Sequence, residues 1–235
     1  MDEINLVAIF VADGFGIFLA FTMLLVRLWK KSSQKSESFY LRLMIIASIL
    51  SCTADSISFL CDGVPGGFGK FCNIASNTYL YLSDCIIGTL FFLLLTAHIT
   101  NGKMPKWQKI MIIVLDSIGT LGLIINLFTP IVFDVNDANV YSRGPLYSFY
   151  TVLQFAFILD SIVFYFVYRK KANKTIYFPV WQFIIPIAVG IIVQTVFYGI
   201  STVNPAIVIG ICGAVLGLYN ESEAEIEAMK QHERD

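Results

Sequence analysis

Residues 74–99 read IASNTYLYLSDCIIGTLFFLLLTAHI, an apolar run interrupted by a single acid, Asp84. A helix of about 20 mostly apolar residues is long enough to cross the hydrocarbon core of a bilayer. Six further stretches of this kind lie on either side, at residues 4–29, 39–61, 108–128, 147–168, 176–199 and 205–219, the last being the shortest. The sequence therefore predicts an all-α fold, an integral membrane seven-helix bundle.

The composition agrees with this prediction. Hydrophobic residues make up 57% of the 235 residues and charged residues only 14%, against roughly 25% charged residues in a soluble domain. The gaps between the apolar stretches are short, which indicates one bundle rather than several domains. We therefore expect one membrane domain over residues 1–219 and a cytoplasmic linker helix over residues 220–235. The net charge of −1 gives no indication of a nucleic acid partner.

The distribution of positive charge predicts an orientation. Lys and Arg are concentrated in the first, third and fifth gaps: Arg27, Lys30, Lys31, Lys35 and Arg42; Lys103, Lys106 and Lys109; Arg169, Lys170, Lys171 and Lys174. The second and fourth gaps contain only Lys70 and Arg143. Because short loops rich in Lys and Arg stay cytoplasmic, we expect the N-terminus outside and the C-terminus in the cytoplasm of a multi-pass protein of the cell membrane.

Each of the first five predicted helices contains one acid within its apolar stretch: Asp13, Asp55, Asp84, Asp116 and Asp160. A charged side chain at such a depth costs at least about 2.5 kcal/mol, so it usually faces the interior of the bundle. At about 1.5 Å per residue, the first three acids are predicted to lie in the outer half, where they would attract a cation or an amine. Alternatively, each acid specifies helix packing through a hydrogen bond to Ser, Thr or a backbone carbonyl.

Polar and aromatic side chains occur at similar predicted depths. They are Tyr79, Tyr81, Tyr147, Tyr150, Gln154, Gln194, Tyr198 and Asn204. Together with Asp13, Asp55 and Asp84 they predict a pocket for a small-molecule ligand, open to the outside. The alternative for the tyrosines is an aromatic belt at the membrane interface. The long polar segment 129–146, with turn residues at 136–139, is either the first contact for a ligand or a plain connector.

Several classes of function are excluded by missing residues. With only His98 and His232, the chain has no HExxH zinc motif and no intramembrane Ser-His-Asp set, and it has no Gly-rich phosphate loop. No Lys lies deep in a predicted span, so retinal has no attachment point. We therefore expect no enzyme activity, no metal site and no cofactor.

The cysteines leave two alternatives open. Cys61 and Cys72 flank a Gly-rich turn at the predicted outer face, where they either form a disulfide or remain free thiols. The other three cysteines, Cys52, Cys85 and Cys212, are predicted to be small packing residues.

The last two helices contain features that suit movement. Pro179, Pro186 and Gly190 predict a kink or hinge in the sixth helix. In the tail, Ser222 and Glu225 match a capping box, so we expect a helix that continues from the seventh span or kinks away from it. A weak heptad pattern predicts either a coiled-coil homodimer through this helix or a solvated charged end; its members are Tyr219, Ser222, Ile226, Met229 and Glu233.

Three segments between the spans carry a resemblance to a known group. Residues 100–107 (TNGKMPKW), 126–130 (NLFTP) and 141–147 (YSRGPLY) resemble the connections in bacterial seven-transmembrane sensor regions that precede histidine kinase or GGDEF (diguanylate cyclase) domains. The resemblance implies a receptor that signals through its C-terminal helix to an effector. No GGDEF or kinase residues are present, so the chain would be a sensor module that ends before its effector.

Three functions follow from these patterns. The first is a receptor that binds an extracellular or membrane-borne ligand and shifts the population of two helix arrangements. The second is a transporter of a small solute or ion that uses the intramembrane aspartates. The third is a structural or assembly subunit.

Overall fold

The computed structural model describes residues 6–26, 35–169, 180–197 and 200–232. In this part of the chain seven helices and one two-stranded hairpin follow in the order α1 (Leu6–Leu25), α2 (Lys35–Cys61), α3 (Gly67–Thr100), α4 (Lys106–Asn126), β1 (Phe133–Val135), β2 (Tyr141–Arg143), α5 (Tyr147–Arg169), α6 (Val180–Val196) and α7 (Val203–His232). The all-α prediction is confirmed, with the small hairpin as an addition.

Six of the seven described helices are long and apolar enough to cross a membrane: α1 to α5, and α7 over Val203–Ala224. The exception is α6, which has 17 residues as described. The last predicted span, at residues 205–219, belongs to a helix of 30 residues. The prediction that the last span is the shortest is therefore wrong, because helical backbone extends it on both sides.

The surface of the bundle is apolar, as expected for helices that face lipid. Along α1, Val7, Val11 and Phe18 are 73%, 66% and 69% exposed, while Asp13 on the opposite side is fully buried. A soluble protein would have the reverse pattern, with its polar face outward. This arrangement supports the prediction of a multi-pass membrane protein.

Two helices organise the bundle. The long helix α3 packs against α2, α4 and α5, while α7 packs against α1, α2 and α6. In the main core, the rings of Phe91 and Phe183 stack with centroids 3.8 Å apart, and Phe92 meets Phe164 edge-on at 4.8 Å. These contacts join α3 to both α5 and α6.

Helices α6 and α7 approach closely because glycines line their contact. A Cβ atom on Gly210 would lie 2.7 Å from the backbone oxygen of Phe183, and one on Gly190 would lie 2.8 Å from the Cβ of Ala206. Small residues allow the backbones of membrane helices to meet in this way. The described part of α6 remains helical through Pro186, so the predicted hinge stays a prediction, and Pro179 lies outside the described residues.

The predicted connector 129–146 contains a hairpin that the sequence did not predict. Its strands pair antiparallel, with Asp134 opposite Ser142. The turn predicted at residues 136–139 is confirmed: Asn136 Oδ1 accepts the Val140 amide at 3.0 Å, and Asn139 adopts a φ of 61°. Asparagine tolerates this left-handed conformation better than most residues.

The tail is helical and continuous with α7, as predicted. Ser222 does not start a helix, because α7 passes through this position without a break. The side chains of Ile226 and Met229 and the whole of Glu233 lie outside the described part. The heptad, the homodimer and the division at residues 219 and 220 therefore stay predictions.

The glycine contact between α6 and α7 gives a first testable prediction. We expect Gly210→Ala to destabilise the protein by about 1–3 kcal/mol, because the new methyl group is forced against a backbone carbonyl. The matched control is Gly14→Ala in α1, where an added Cβ has no neighbour within 4 Å. Thermal unfolding in lipid nanodiscs, followed by tryptophan fluorescence, measures both variants. Equal unfolding temperatures would contradict the close packing of α6 and α7.

Candidate ligand-binding site

A polar cavity of about 120 Å³ lies between α2, α3, α5, α6, the start of α7 and the hairpin. We call it the polar cavity. Seven of the ten side chains predicted to bind a ligand line it: Asp55, Asp84, Tyr81, Tyr147, Tyr150, Gln154 and Gln194. Asn204, which the same pattern grouped with them, also lines it. The structure thus brings together residues from four helices that are far apart in the sequence.

The other three predicted residues do not line the polar cavity. The Tyr79 hydroxyl points to α2, where it donates to the backbone oxygen of Ala47 at 3.4 Å. Asp13 is fully buried and is connected through the Ser201 hydroxyl to Asp55, which lines the cavity. Tyr198 lies outside the described residues. Tyr79 and Asp13 thus contact neighbouring helices in this structure, and their assignment to a ligand stays a prediction.

Sequence reasoning missed several lining residues, among them Asp62, Asn73, Asn77, Tyr141, Arg143 and Thr151. A signal for two of them was present in α3. Asn73 and Asn77 precede Tyr81 and Asp84 at spacings of four, four and three residues, which places all four side chains on one face of a helix. Residues from the hairpin could not be found in this way, because their position depends on contacts distant in sequence.

Asp84 is held by a side chain from another helix. The Gln154 amide on α5 donates to Oδ2 of Asp84 on α3. Within the described part of the chain, this is the one hydrogen-bond partner of the Asp84 carboxyl, and the side chain is half-buried beside the polar cavity. Asp84 is thus positioned, and it has remaining capacity to accept hydrogen bonds from a ligand.

Asp13 and Asp55 are bridged by one hydroxyl group. Ser201, in the segment before α7, lies 2.9 Å from Oδ1 of Asp13 and also contacts Oδ2 of Asp55. Ser56 donates to the other oxygen of Asp13 at 3.0 Å. A hydroxyl has a single hydrogen to donate. Ser201 can therefore donate to only one of the two carboxyl groups at a time.

Asn204 extends this cluster into the helix bundle. Its Oδ1 accepts from Ser51 at 2.7 Å. Ser51 in turn contacts Ser83 at 2.9 Å. Polar contacts thus connect the start of α7 to α1, α2 and α3 in the interior of the bundle.

The two remaining intramembrane acids serve helix packing. Thr89 donates to the Asp116 carboxyl, with distances of 2.7 and 2.9 Å to its two oxygens, and so joins α3 to α4. Gln108 on α4 donates to Asp160 on α5. Neither acid lines the polar cavity. For these two residues the packing alternative describes the observed contacts.

The hairpin closes one end of the polar cavity and is fixed to the turn between α2 and α3. Asn139 Nδ2 donates to the backbone oxygens of Cys61 and Val64 at 2.7 and 2.8 Å. Asp62 Oδ1 accepts from the Tyr141 amide at 2.7 Å, and the Tyr141 hydroxyl meets the Tyr81 hydroxyl at 2.8 Å. These hydrogen bonds therefore hold the hairpin over one end of the polar cavity.

Two lining residues also have structural bonds. Gln194 Oε1 accepts the backbone amides of Thr202 and Val203 at 3.1 and 3.0 Å, and so caps the start of α7. The Tyr150 hydroxyl donates to the backbone oxygen of Gly119 on α4. Gln194 therefore links α6 to the first turn of α7.

The charges around the polar cavity are mainly negative. The carboxyl groups of Asp55, Asp62 and Asp84 line it, against the guanidinium of Arg143. This guanidinium lies 4.3 Å from the ring centroid of Tyr147 and donates to the backbone oxygen of Gln194 at 2.9 Å. Around this cavity, three carboxyl groups thus stand against one guanidinium.

Within the described residues, no group of three His, Cys, Asp or Glu side chains is arranged to hold a metal ion. Cys61 and Cys72 are free thiols. Cys52 and Cys85 are buried, as expected for packing residues.

No protein-family model, no curated protein and no solved structure matches this chain.

The Asn139 contacts give a second testable prediction. We expect Asn139→Gly to release the hairpin, because it removes the buried side-chain bonds while the positive φ stays accessible. Hydrogen exchange at residues 133–143 should speed up by about five- to 150-fold, as the opening free energy falls by about 1–3 kcal/mol. Mass spectrometry of the protein in nanodiscs measures this rate.

The control for this experiment is Asp137→Asn. Asp137 forms a 3.2 Å ion pair with Lys70, but its side chain is fully exposed. Exposed pairs contribute little to stability, so exchange should stay within about twofold of the wild-type rate. Faster hydrogen exchange of the hairpin in Asp137→Asn than in Asn139→Gly would contradict the assigned role of Asn139.

Proposed function

We propose that this protein is a membrane receptor that binds a small ligand in the polar cavity and signals through α7. The observation that carries the proposal is the position of the start of α7. Val203 and Asn204 both line the polar cavity, while their helix continues without a break to His232. A ligand in the cavity therefore contacts the same element that leaves the bundle at its far end.

The proposed orientation places the hairpin outside and the end of α7 in the cytoplasm. The connection between α3 and α4, at the opposite end from the hairpin, contains Lys103, Lys106 and Lys109. Basic connections of this kind favour the cytoplasmic side. In this orientation the polar cavity is near the outer face of the cell membrane, where a ligand would enter beside the hairpin.

The signal would travel as a change in the position or rotation of α7. At about 1.5 Å per residue, its 30 residues form a rod of about 45 Å. Gln194 and Ser201 fix the first turn of this rod to α6 and to the acids of α1 and α2. A ligand that binds one arrangement of these contacts more tightly than the other shifts the equilibrium between two α7 positions. The size of this shift is limited by the difference between the two affinities.

The proposed effector is a diguanylate cyclase or histidine kinase linked to the C-terminal helix, as in the bacterial sensor regions that this chain resembles. The proposed assembly is a homodimer through the same helix, which would give two effector domains the proximity that they need. No catalytic residue in the chain itself, no cofactor and no nucleic acid partner form part of this proposal.

A transporter of a small solute or ion is the second candidate. The observation in its favour is the pair of buried acids, Asp13 and Asp55, which share the Ser201 hydroxyl. Buried acids of this kind hold protons or coupling ions in transporters. This candidate assigns the movement of α7 to the transport cycle rather than to an effector.

A fused effector domain tests the receptor proposal. We fuse a diguanylate cyclase domain in frame after Asp235 and measure cyclic di-GMP while a library of small amines is added. The active compounds should need at least about tenfold higher concentrations in Asp84→Asn, because a charge-assisted bond contributes about 1.5–3 kcal/mol. The matched control is Asp116→Asn, whose carboxyl contacts Thr89 away from the cavity; its response should equal that of the wild type.

Two results would count against the receptor. A constant output across the library would contradict ligand-dependent signalling. If Asp84→Asn and Asp116→Asn raised the required compound concentration equally, binding of the ligand in the polar cavity would be contradicted. Uptake into vesicles that is driven by a proton or sodium gradient, and lost in Asp84→Asn, would favour the transporter.

A further inference from the structure

A second cavity of about 50 Å³ lies deeper in the bundle, between α3, α5, α6 and α7. Its walls are formed mainly by large apolar side chains: Ile87, Phe91, Phe157, Phe183, Ile187 and Ile207. We call it the apolar cavity. Its one hydroxyl group, on Ser161, donates to the backbone oxygen of Phe157 at 2.9 Å. The walls of this cavity therefore offer an occupant almost no polar partner apart from the residues at its entrance.

The polar and apolar cavities meet at the pair formed by Asp84 and Gln154. Both residues line both cavities, as do Ile191 and Val203. The carboxyl group of Asp84 thus stands at a boundary, with polar and tyrosine side chains on one side and Phe and Ile side chains on the other. One molecule can contact this acid and occupy both cavities.

We propose that the ligand is an amphiphilic amine, whose ammonium group binds Asp84, whose short apolar chain fills the apolar cavity, and whose polar part lies in the polar cavity. This inference rests on the proposed function, since it names the ligand class of the same site. It also goes beyond that proposal, because the apolar cavity had no role in it.

The charges and rings of the two cavities select this class over others. An anion would meet three carboxyl groups, and Arg143 is held at the wall by Tyr147 and Gln194. A neutral polar molecule would leave the apolar cavity empty. An ammonium group gains from the negative charge of Asp84 in a site of low dielectric.

The cavity volumes limit the size of the ligand. One water-sized group needs roughly 10–15 Å³ of cavity volume. The polar cavity, at about 120 Å³, therefore holds about ten non-hydrogen atoms, and the apolar cavity, at about 50 Å³, about four. A chain of about four carbons next to the nitrogen is the predicted optimum.

Primary alkylammonium ions from methyl to hexyl are the probes for this inference. The full chain is reconstituted in nanodiscs, and the concentration that gives half of the maximal shift in unfolding temperature is measured for each ion. We expect the affinity to rise about fourfold per methylene group up to about four carbons, and then to stop rising. The matching alkyl alcohols, which lack the charge, should give no such series, and Asp84→Asn should lower the affinity of butylammonium by at least about tenfold.

Enlarging the apolar cavity should move the optimum. Ile187 lines this cavity, and Ile187→Ala should shift the best chain length from about four carbons to five or six, since it frees the volume of about three carbon atoms. The control is Leu95→Ala, a truncation of a side chain that is buried in the main core and lines neither cavity. Leu95→Ala should lower the unfolding temperature but leave the optimum unchanged.

The outcomes separate this inference from the proposed function. Affinities that are independent of chain length, or an optimum that Ile187→Ala leaves in place, overturn the amphiphilic ligand. If another class of small molecule still gives an output that depends on Asp84 in the fused receptor, the proposed function stands without this inference. A chain-length series that is equally strong in Asp84→Asn overturns the placement of the ammonium group.

Discussion

A carboxyl group in the interior of a membrane bundle needs a partner, because hydrocarbon offers none. The five acids of α1 to α5 meet this constraint in two ways. Asp116 and Asp160 each receive a hydrogen bond from one polar side chain on a neighbouring helix. Asp13 and Asp55 share Ser201, and Asp84, which also receives a single bond, borders the polar cavity. Of the five acids, Asp55 and Asp84 line the polar cavity, whereas Asp13, Asp116 and Asp160 do not.

The start of α7, the end of α6 and the hairpin all pack around these acids and the polar cavity. Ser201 and Asn204 bring the start of α7 to the acids, and Gln194 caps the same turn from α6. Asn139 holds the hairpin against the turn between α2 and α3, next to the cavity. The glycines between α6 and α7 allow a close contact between the two helices. The polar cavity and the start of α7 are thus in direct contact.

Much of the fold could be predicted from the sequence because hydropathy and helical period are local properties. The placement of Asp84 within a long apolar helix is one example. Rotation around a helix is also local, yet grouping residues by depth ignored it: Tyr79 and Tyr81 differ by about 200° around α3, and only Tyr81 lines the cavity. The hairpin strands and Ser201 could not be predicted, because their roles depend on contacts with residues far away in the sequence.

The central claim is that the polar cavity opens to the outside of the cell and binds a cation. Thr151 lines this cavity, while its neighbour Val152 is 63% exposed on the lipid-facing surface of α5. Single cysteines are introduced at these positions, with Cys61 and Cys72 replaced by serine, and a membrane-impermeant maleimide is added to intact cells. The account predicts that Thr151→Cys is labelled, that butylammonium slows this labelling, and that Val152→Cys is not labelled. Labelling of Thr151→Cys only after the cells are permeabilised, or at a rate unaffected by butylammonium, would contradict it.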